Sequence, residues 1–165
     1  MQITETLVYP AAIEVVFDMM TDEAFHALVC EATHAMSHSA TVSRQSDGAT
    51  VITHREMPTD GFPEFARSMV GRSIDIVETI VYGPPGPHGT RIGEMSITMG
   101  TAPIALKGDI RIMPADDGTE VVGTLYGLFD GLVHFEEEDL EPLEVGRIDR
   151  LLIRRITEGP GLPAG

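Results

Sequence analysis

The stretch that decides the fold is residues 91–129, RIGEMSITMGTAPIALKGDIRIMPADDGTEVVGTLYGLF. Apolar and polar residues alternate through most of 91–99 and 106–112, which is typical of strands with one buried face, and residues 120–129 form the predicted last strand. Gly100-Thr101-Ala102-Pro103 and residues 114–118 separate these segments with turn-forming residues. Short strands joined by such turns predict an antiparallel meander.

The pattern extends toward the N-terminus. Residues 40–45 and 50–56 flank the hairpin turn Ser46-Asp47-Gly48, and residues 73–82 precede a loop rich in proline and glycine. A first strand, residues 3–9, is rich in β-branched residues and stops at Pro10.

Three short helices are predicted within this series of strands. The first buries Ile13, Val16, Phe17 and Met20 and is interrupted at Thr21-Asp22. Asp22 can cap a second helix, and a third within residues 61–71 would lie over one mouth of the sheet. The second helix has a predicted apolar stripe of Phe25, Leu28, Val29 and Ala32.

A long last helix is predicted from near Asp139 or Glu141 to Gly159. Pro142 is tolerated in a first turn, and Gly159 precedes Pro160 as a helix stop does. Acidic residues crowd the start of this segment and arginines its end, which complements the helix dipole. Its buried stripe would comprise Val145, Ile148, Leu151, Leu152 and Ile156. Residues 1–159 therefore form one predicted domain, and residues 160–165 a flexible tail.

Composition limits the possible partners. The 165 residues have a formal charge of −15 and are 42% hydrophobic, as in a globular protein. Such a negative charge opposes binding to nucleic acid or to anionic lipid headgroups. No apolar run is long enough to span a membrane, so membrane insertion is not expected. The single Cys30 and the lack of a signal-peptide pattern favour the cytoplasm.

The order of these elements resembles the START-like or SRPBCC superfamily, and within it an uncharacterised family of polyketide-cyclase-like proteins, a domain of unknown function. The matching residues span roughly residues 1–128. They are Tyr9-Pro10-Ala11-Ala12, Val16-Phe17, Thr21-Asp22, Phe65-Ala66-Arg67-Ser68-Met69-Val70-Gly71 and Ala102-Pro103-Ile104, ahead of a strand centred on Gly108. The resemblance implies an α+β helix-grip fold, in which a curved antiparallel sheet wraps round the last helix and encloses a cavity. Residues 130–144 depart from the family pattern.

The cavity is the first candidate site. Because alternate strand residues share a face, Met95, Ile97 and Met99 are expected beside Leu106, Ile110 and Ile112. On the last strand the choice lies between Leu125 with Phe129 and Tyr126 with Leu128. Flexible methionines suit an adaptable apolar pocket, although the same residues can fill a solid core. The predicted ligand-binding residues are Phe65, Met69, Met95, Ile97, Met99, Leu106, Ile110, Leu125, Ile148 and Leu152.

Two further patterns carry weaker signals. His26, Cys30 and His34 are spaced along one helix flank, as zinc ligands can be, but an exposed polar flank explains them more simply and no metal site is predicted. Several ionisable residues on the predicted strands could act as acid–base groups if they lay inside the cavity. Positions on the outer face or at the edge of the sheet account for them equally well. They are His54, Glu56, Glu78, Arg91, Glu94, Asp109 and Tyr126.

The leading functional hypothesis is a non-catalytic binding or carrier domain for a small hydrophobic molecule: a lipid, isoprenoid or polyketide-like compound. No cofactor and no catalytic residue are predicted, because no nucleophile elbow, phosphate loop or paired-carboxylate spacing occurs. One alternative is a cyclase or dehydratase with at least two polar side chains inside the cavity. Another is an interaction protein that uses the acidic last helix, and Leu143 and Ile153 hint at a homodimer there.

Overall fold

The computed structural model describes residues 2–60, 64–100 and 104–129. The predicted last helix, its residues Ile148 and Leu152, and the tail at residues 160–165 lie outside them. The described helices and strands follow the predicted order. They are β1 (Gln2–Tyr9), α1 (Ile13–Met20), α2 (Glu23–Ala32), β2 (Ser37–Arg44), β3 (Ala49–Pro58), α3 (Glu64–Val70), β4 (Ser73–Tyr82), β5 (Arg91–Met99), β6 (Ile104–Ala115) and β7 (Gly118–Phe129).

The seven strands form one antiparallel sheet in the order β1-β7-β6-β5-β4-β3-β2. Each strand from β2 to β7 pairs with the next along the chain, which confirms the predicted meander. β1 adds to β7, with Leu7 opposite Val121. The α+β fold class is confirmed.

One face of the sheet, here called the inner face, packs with α1 in the hydrophobic core. Burial alternates along the strands: Ala49, Val51 and Thr53 are buried in β3, whereas His54 is exposed. The cross-strand register carries this alternation from strand to strand, so that Val51 lies opposite Ile80 and Ile80 opposite Met95. Every inner-face position follows from this register.

Helix α1 covers one end of the inner face. Its buried residues are the four that the helical spacing predicts: Ile13, Val16, Phe17 and Met20. The Phe17 ring packs edge-on against Tyr82, with centroids 5.3 Å apart. The Arg91 guanidinium lies over the same Phe17 ring, 4.1 Å from its centroid, where a cation–π contact is favourable.

Helix α2 buries part of its predicted apolar stripe together with residues predicted to be exposed. His26 and Cys30 are buried, so the predicted exposed polar flank is wrong for both. Phe25, Val29 and Ala32 of the stripe are half-buried, whereas Leu28 is 39% exposed. The ring of His26 reaches the Met20 carbonyl through Nε2 at 2.8 Å, so its polarity is satisfied inside the protein. A prediction from hydropathy buries leucine in preference to histidine, because it takes no account of a hydrogen bond such as the one between His26 and the Met20 carbonyl.

Polar contacts attach the corner between α1 and α2 to the edge strand β2. Asp22 caps α2 by accepting a hydrogen bond from the Ala24 amide at 2.9 Å, as predicted. Glu23 accepts a hydrogen bond from the Val42 amide at 2.9 Å, which satisfies a backbone donor of the edge. Arg44 pairs with Asp18 at 3.1 Å. The two helices are therefore fixed over one part of the inner face.

No helix among the described residues is both long and apolar enough to cross a membrane.

Candidate ligand-binding site

An apolar strip occupies the inner face of β5, β6 and β7. Ile97 lies opposite Leu106, Gly93 opposite Ile110, and Gly108 opposite Leu125, so the sequence placed these residues on the correct face. The choice on the last strand falls to Leu125, because Tyr126 points to the outer face and is 42% exposed. The strip comprises Met95, Ile97, Met99, Leu106, Ile110 and Leu125.

Burial within the apolar strip is uneven. Met95, Ile97 and Ile110 are buried, with 9%, 6% and 8% of their surface exposed. Met99, Leu106 and Leu125 are half-buried and pack at the margin of the core. A Cβ added at Gly123, on the same face, would meet no atom of the described residues within 4 Å. At Gly123 the strip therefore borders space that no described residue fills.

Four predicted ligand-binding residues are not placed by the structure. Phe65 and Met69 belong to α3, but their side chains lie outside what the structure describes. Ile148 and Leu152 lie in the C-terminal segment, also outside the described residues. Their contribution stays a prediction.

A polar cluster, defined here as Thr53, Arg55 and Glu78, borders the apolar strip on the inner face. Thr53 lies opposite Glu78, and Glu78 lies opposite Ile97, so a continuous cross-strand row leads from hydroxyl to carboxylate to hydrocarbon. Arg55 Nη2 is 3.7 Å from Glu78 Oε2, and each of the two side chains is 19% exposed. Such a partly buried pair keeps both charges compensated.

Two polar atoms of this cluster have no hydrogen-bond partner within the described part of the chain. They are Thr53 Oγ1 and Arg55 Nε, and both are buried. Thr53 is only 3% exposed, so water does not readily satisfy its hydroxyl. Most buried polar groups in proteins are hydrogen-bonded, so two unpartnered atoms two residues apart on one strand need an explanation.

Cys30 of α2 lies in the electrostatic range of the polar cluster. Burial raises the pKa of the Cys30 thiol; the charge of Arg55 opposes this rise, whereas Glu78 and Glu31 add to it. The thiol is completely buried. It is therefore neutral at physiological pH, which suits neither a nucleophile nor a metal ligand.

The structure divides the predicted acid–base residues between the two faces. Glu78 and Arg91 lie on the inner face, and the outer-face explanation is wrong for both. Arg91 donates to the Asp47 carbonyl at 2.8 Å and lies over Phe17, which gives it a structural role. The other five alternate onto the outer face: His54, Glu56, Glu94, Asp109 and Tyr126.

Sequence reasoning missed Thr53 and Arg55. The signal that could have found them is their spacing, because Val51, Thr53 and Arg55 succeed one another at intervals of two on a strand whose inner residues are apolar. A charged arginine side chain at a partly buried position requires an oppositely charged partner. Glu78, which lies opposite Thr53, is that partner for Arg55.

The three residues with zinc-like spacing do not converge. His26 and Cys30 face the interior, whereas His34 follows α2 with a positive φ of 60° and is exposed. Within residues 2–60, 64–100 and 104–129, no three His, Cys, Asp or Glu side chains are arranged to hold a metal ion.

A shallow polar depression of about 400 Å³ lies across β2, β3 and β4. Its lining is mostly from the outer face, including Ser37, His54, Glu56 and Asp75. Glu56 already accepts hydrogen bonds from Ser73 at 2.7 Å and from Ser37 at 3.2 Å. Arg55 of the polar cluster also lines this depression, whereas no residue of the apolar strip does.

Solved structures define the class of fold to which this chain belongs. Ara h 8.0201 superposes with a TM-score of 0.60 at 11% identity, over 96% of this chain and 99% of that one. A STAR-related lipid transfer protein from Xanthomonas axonopodis gives 0.59 at 14% identity, over 93% and 86%. A putative uncharacterized protein from Rhizobium leguminosarum gives 0.56 at 16% identity, over 93% and 91%. The fold is START-like.

A family model covers most of the described chain. Residues 4–125 match the family described as "Protein of unknown function (DUF2505)". The chain belongs to this family, and the resemblance to a START-like domain of unknown function is confirmed. No curated protein matches the sequence.

Proposed function

We propose that this protein is a non-catalytic binding or carrier domain for a small hydrophobic molecule, of the lipid, isoprenoid or polyketide-like kind. The observation that carries the proposal is the half-buried state of Met99, Leu106 and Leu125 on the same face that α1 and α2 partly cover. Apolar side chains in a solid core would be fully buried, whereas these three are only half-buried. Contact with an apolar ligand would stabilise the complex by about 25 cal/mol per Å² of surface removed from water.

The strip has the composition of an adaptable site. Met95 and Met99 can change rotamer at small cost and so fit ligands of different shape. The fold supports the same proposal by analogy, since the name of the similar Xanthomonas protein includes lipid transfer. We place the domain in the cytoplasm, where a lone buried Cys30 stays reduced.

Native mass spectrometry of gently purified protein, together with titration of N-phenyl-1-naphthylamine, tests the proposal. We expect either an added mass from a co-purified apolar molecule, or saturable fluorescence enhancement of the probe that an added apolar compound reverses. A clean apo mass with no probe binding would contradict it.

A cyclase- or dehydratase-type enzyme is the second candidate. The observation that favours it is the placement of Arg55 and Glu78 beside the apolar strip, because a carboxylate at the border of a dry site can accept or donate a proton. Glu78→Gln distinguishes the candidates: loss of turnover of a polyketide-like substrate, with binding retained, would favour the enzyme. The interaction hypothesis and the homodimer concern residues outside the described chain and stay predictions.

A further inference from the structure

The polar cluster is placed to recognise one end of a ligand. Thr53, Glu78, Ile97 and Leu106 form one inner-face row across β3, β4, β5 and β6. Strand spacing makes this row about 14 Å long. Its first half is polar and its second half is hydrocarbon, so a molecule lying along the row would meet polar groups at one end only.

The unpartnered atoms define what the polar end would accept. Arg55 Nε carries a hydrogen that it can only donate, and the Thr53 hydroxyl can donate or accept. Both atoms lie on the inner side of β3, about 7 Å apart along the strand. Two hydrogen bonds to a single oxygen do not span this distance. A head group with one oxygen would therefore satisfy one of the two atoms, and Thr53 is the residue whose row leads to the apolar strip.

The charges favour a neutral head group. Glu78 already compensates Arg55 at 3.7 Å, so the pair has no net charge to offer an anion. A ligand carboxylate would lie beside the carboxylate of Glu78, in a chain whose formal charge is −15. Like charges in a partly buried site repel. His38 lies opposite Arg55 and 4.0 Å from the carboxylate of Glu31, which adds a further acidic group near the cluster.

We propose that the ligand is an apolar molecule with one neutral oxygen at its end, an alcohol or a ketone, which hydrogen-bonds to the Thr53 hydroxyl while its body lies on the apolar strip. This inference rests on the proposed ligand-binding function and specifies the chemistry of the ligand.

Thr53→Val tests it, since valine keeps the shape of threonine and removes the hydroxyl. That hydroxyl has no hydrogen-bond partner among the described residues, so the variant should unfold at the same urea concentration as the wild type or a higher one. Displacement of N-phenyl-1-naphthylamine by decan-1-ol, decane and decanoate then measures the head-group contribution. We expect the variant to bind decan-1-ol about three- to tenfold more weakly and decane within about twofold of the wild type.

Thr50→Val is the matched control, because Thr50 lies on the outer side of the same strand. It should bind all three compounds as the wild type does. The head-group assignment is overturned if Thr53→Val weakens decane and decan-1-ol equally, or neither. It is also overturned if decanoate binds more tightly than decan-1-ol. If neither the probe nor any of the three compounds binds the wild type, the proposed ligand-binding function is itself contradicted. This result differs from the two results above, in which ligands bind but the head-group assignment is wrong.

Discussion

Gly93 shows how a single residue shapes the inner face. A Cβ at this position would come within 2.8 Å of the Tyr82 ring and 2.9 Å of Ile80 Cγ2, closer than side-chain atoms approach one another. The missing side chain lets the Tyr82 ring lie flat across β5 and meet Phe17 of α1. The position of α1 therefore depends on a residue that has no side chain.

Gly93→Ala should destabilise the protein by about 1–3 kcal/mol, because the added methyl group displaces a buried aromatic ring. Gly123→Ala is the matched control, on the same face but without an atom of the described residues within 4 Å, and should stay within about 0.5 kcal/mol of the wild type. Urea unfolding measures both. Equal losses for the two variants would contradict the packing described for Tyr82.

Tyr82 also carries a buried hydroxyl without a hydrogen-bond partner among the described residues. Burial raises its pKa well above the usual value, and the charge of Glu78 and the neighbouring Tyr9 add to the rise. The folded state thus holds the phenol proton more tightly than the unfolded chain does. The resulting stability is present below the unfolded pKa of about 10 and is lost as the pH rises beyond it.

Tyr82→Phe should therefore leave the free energy of unfolding unchanged at pH 7, or raise it by up to about 1 kcal/mol. It should also weaken the fall in stability above pH 10. Urea unfolding at pH 8 and pH 10.5 checks both expectations. Tyr126→Phe, at an exposed outer-face position, should keep the full alkaline loss; a similar change in both variants would argue against the burial of Tyr82 as its cause.

At the scale of elements, α2 is the part of the fold that sequence patterns described least well. Strand β5 was predictable because apolar and polar residues alternate along most of it, and α1 because its apolar residues recur at helical spacing. Helix α2 has 10 residues, and its orientation depends on the bond from His26 to the Met20 carbonyl and on the contacts of Glu23 with β2. These contacts join residues that are 6 and 19 positions apart, and a local sequence pattern does not predict them.

The candidate site was half predictable for the same reason. Alternation alone put the apolar strip on one face, since the hydrophobic residues of β5 and β6 recur at intervals of two. The polar cluster needed the register of β3 against β4, which places Arg55 and Thr53 beside Glu78. No short turn fixes that pairing, because α3 lies between β3 and β4 along the chain, so no local pattern contains it.

His26→Asn tests the orientation of α2. Asparagine is shorter than histidine, so the Met20 carbonyl should lose its buried partner, at a cost of about 1–3 kcal/mol. His34→Asn is the control: His34 is exposed with a positive φ, a conformation that asparagine tolerates. Its effect should stay below about 0.5 kcal/mol in urea unfolding. A larger loss from His34→Asn than from His26→Asn would mean that α2 turns the other way.

At the scale of the whole molecule, the sheet has two faces with different properties. The inner face combines a closed core beneath α1 with a half-buried apolar strip and a polar border. The outer face carries scattered apolar residues among charged ones, such as Val81 and Ile92, which are 47% and 52% exposed. Isolated apolar residues of this kind are normal on protein surfaces, so the proposed ligand-binding site belongs to the inner face.

Strand β5 allows the most direct test of that claim, because its side chains alternate between the two faces. Methyl NMR of protein labelled at isoleucine δ1 and methionine ε positions, titrated with decan-1-ol, reports on both faces in one spectrum. The account predicts saturable shifts of Met95, Ile97 and Met99, with Ile92 unchanged. Shifts centred on Ile92, or none at any of these methyl groups, would contradict it.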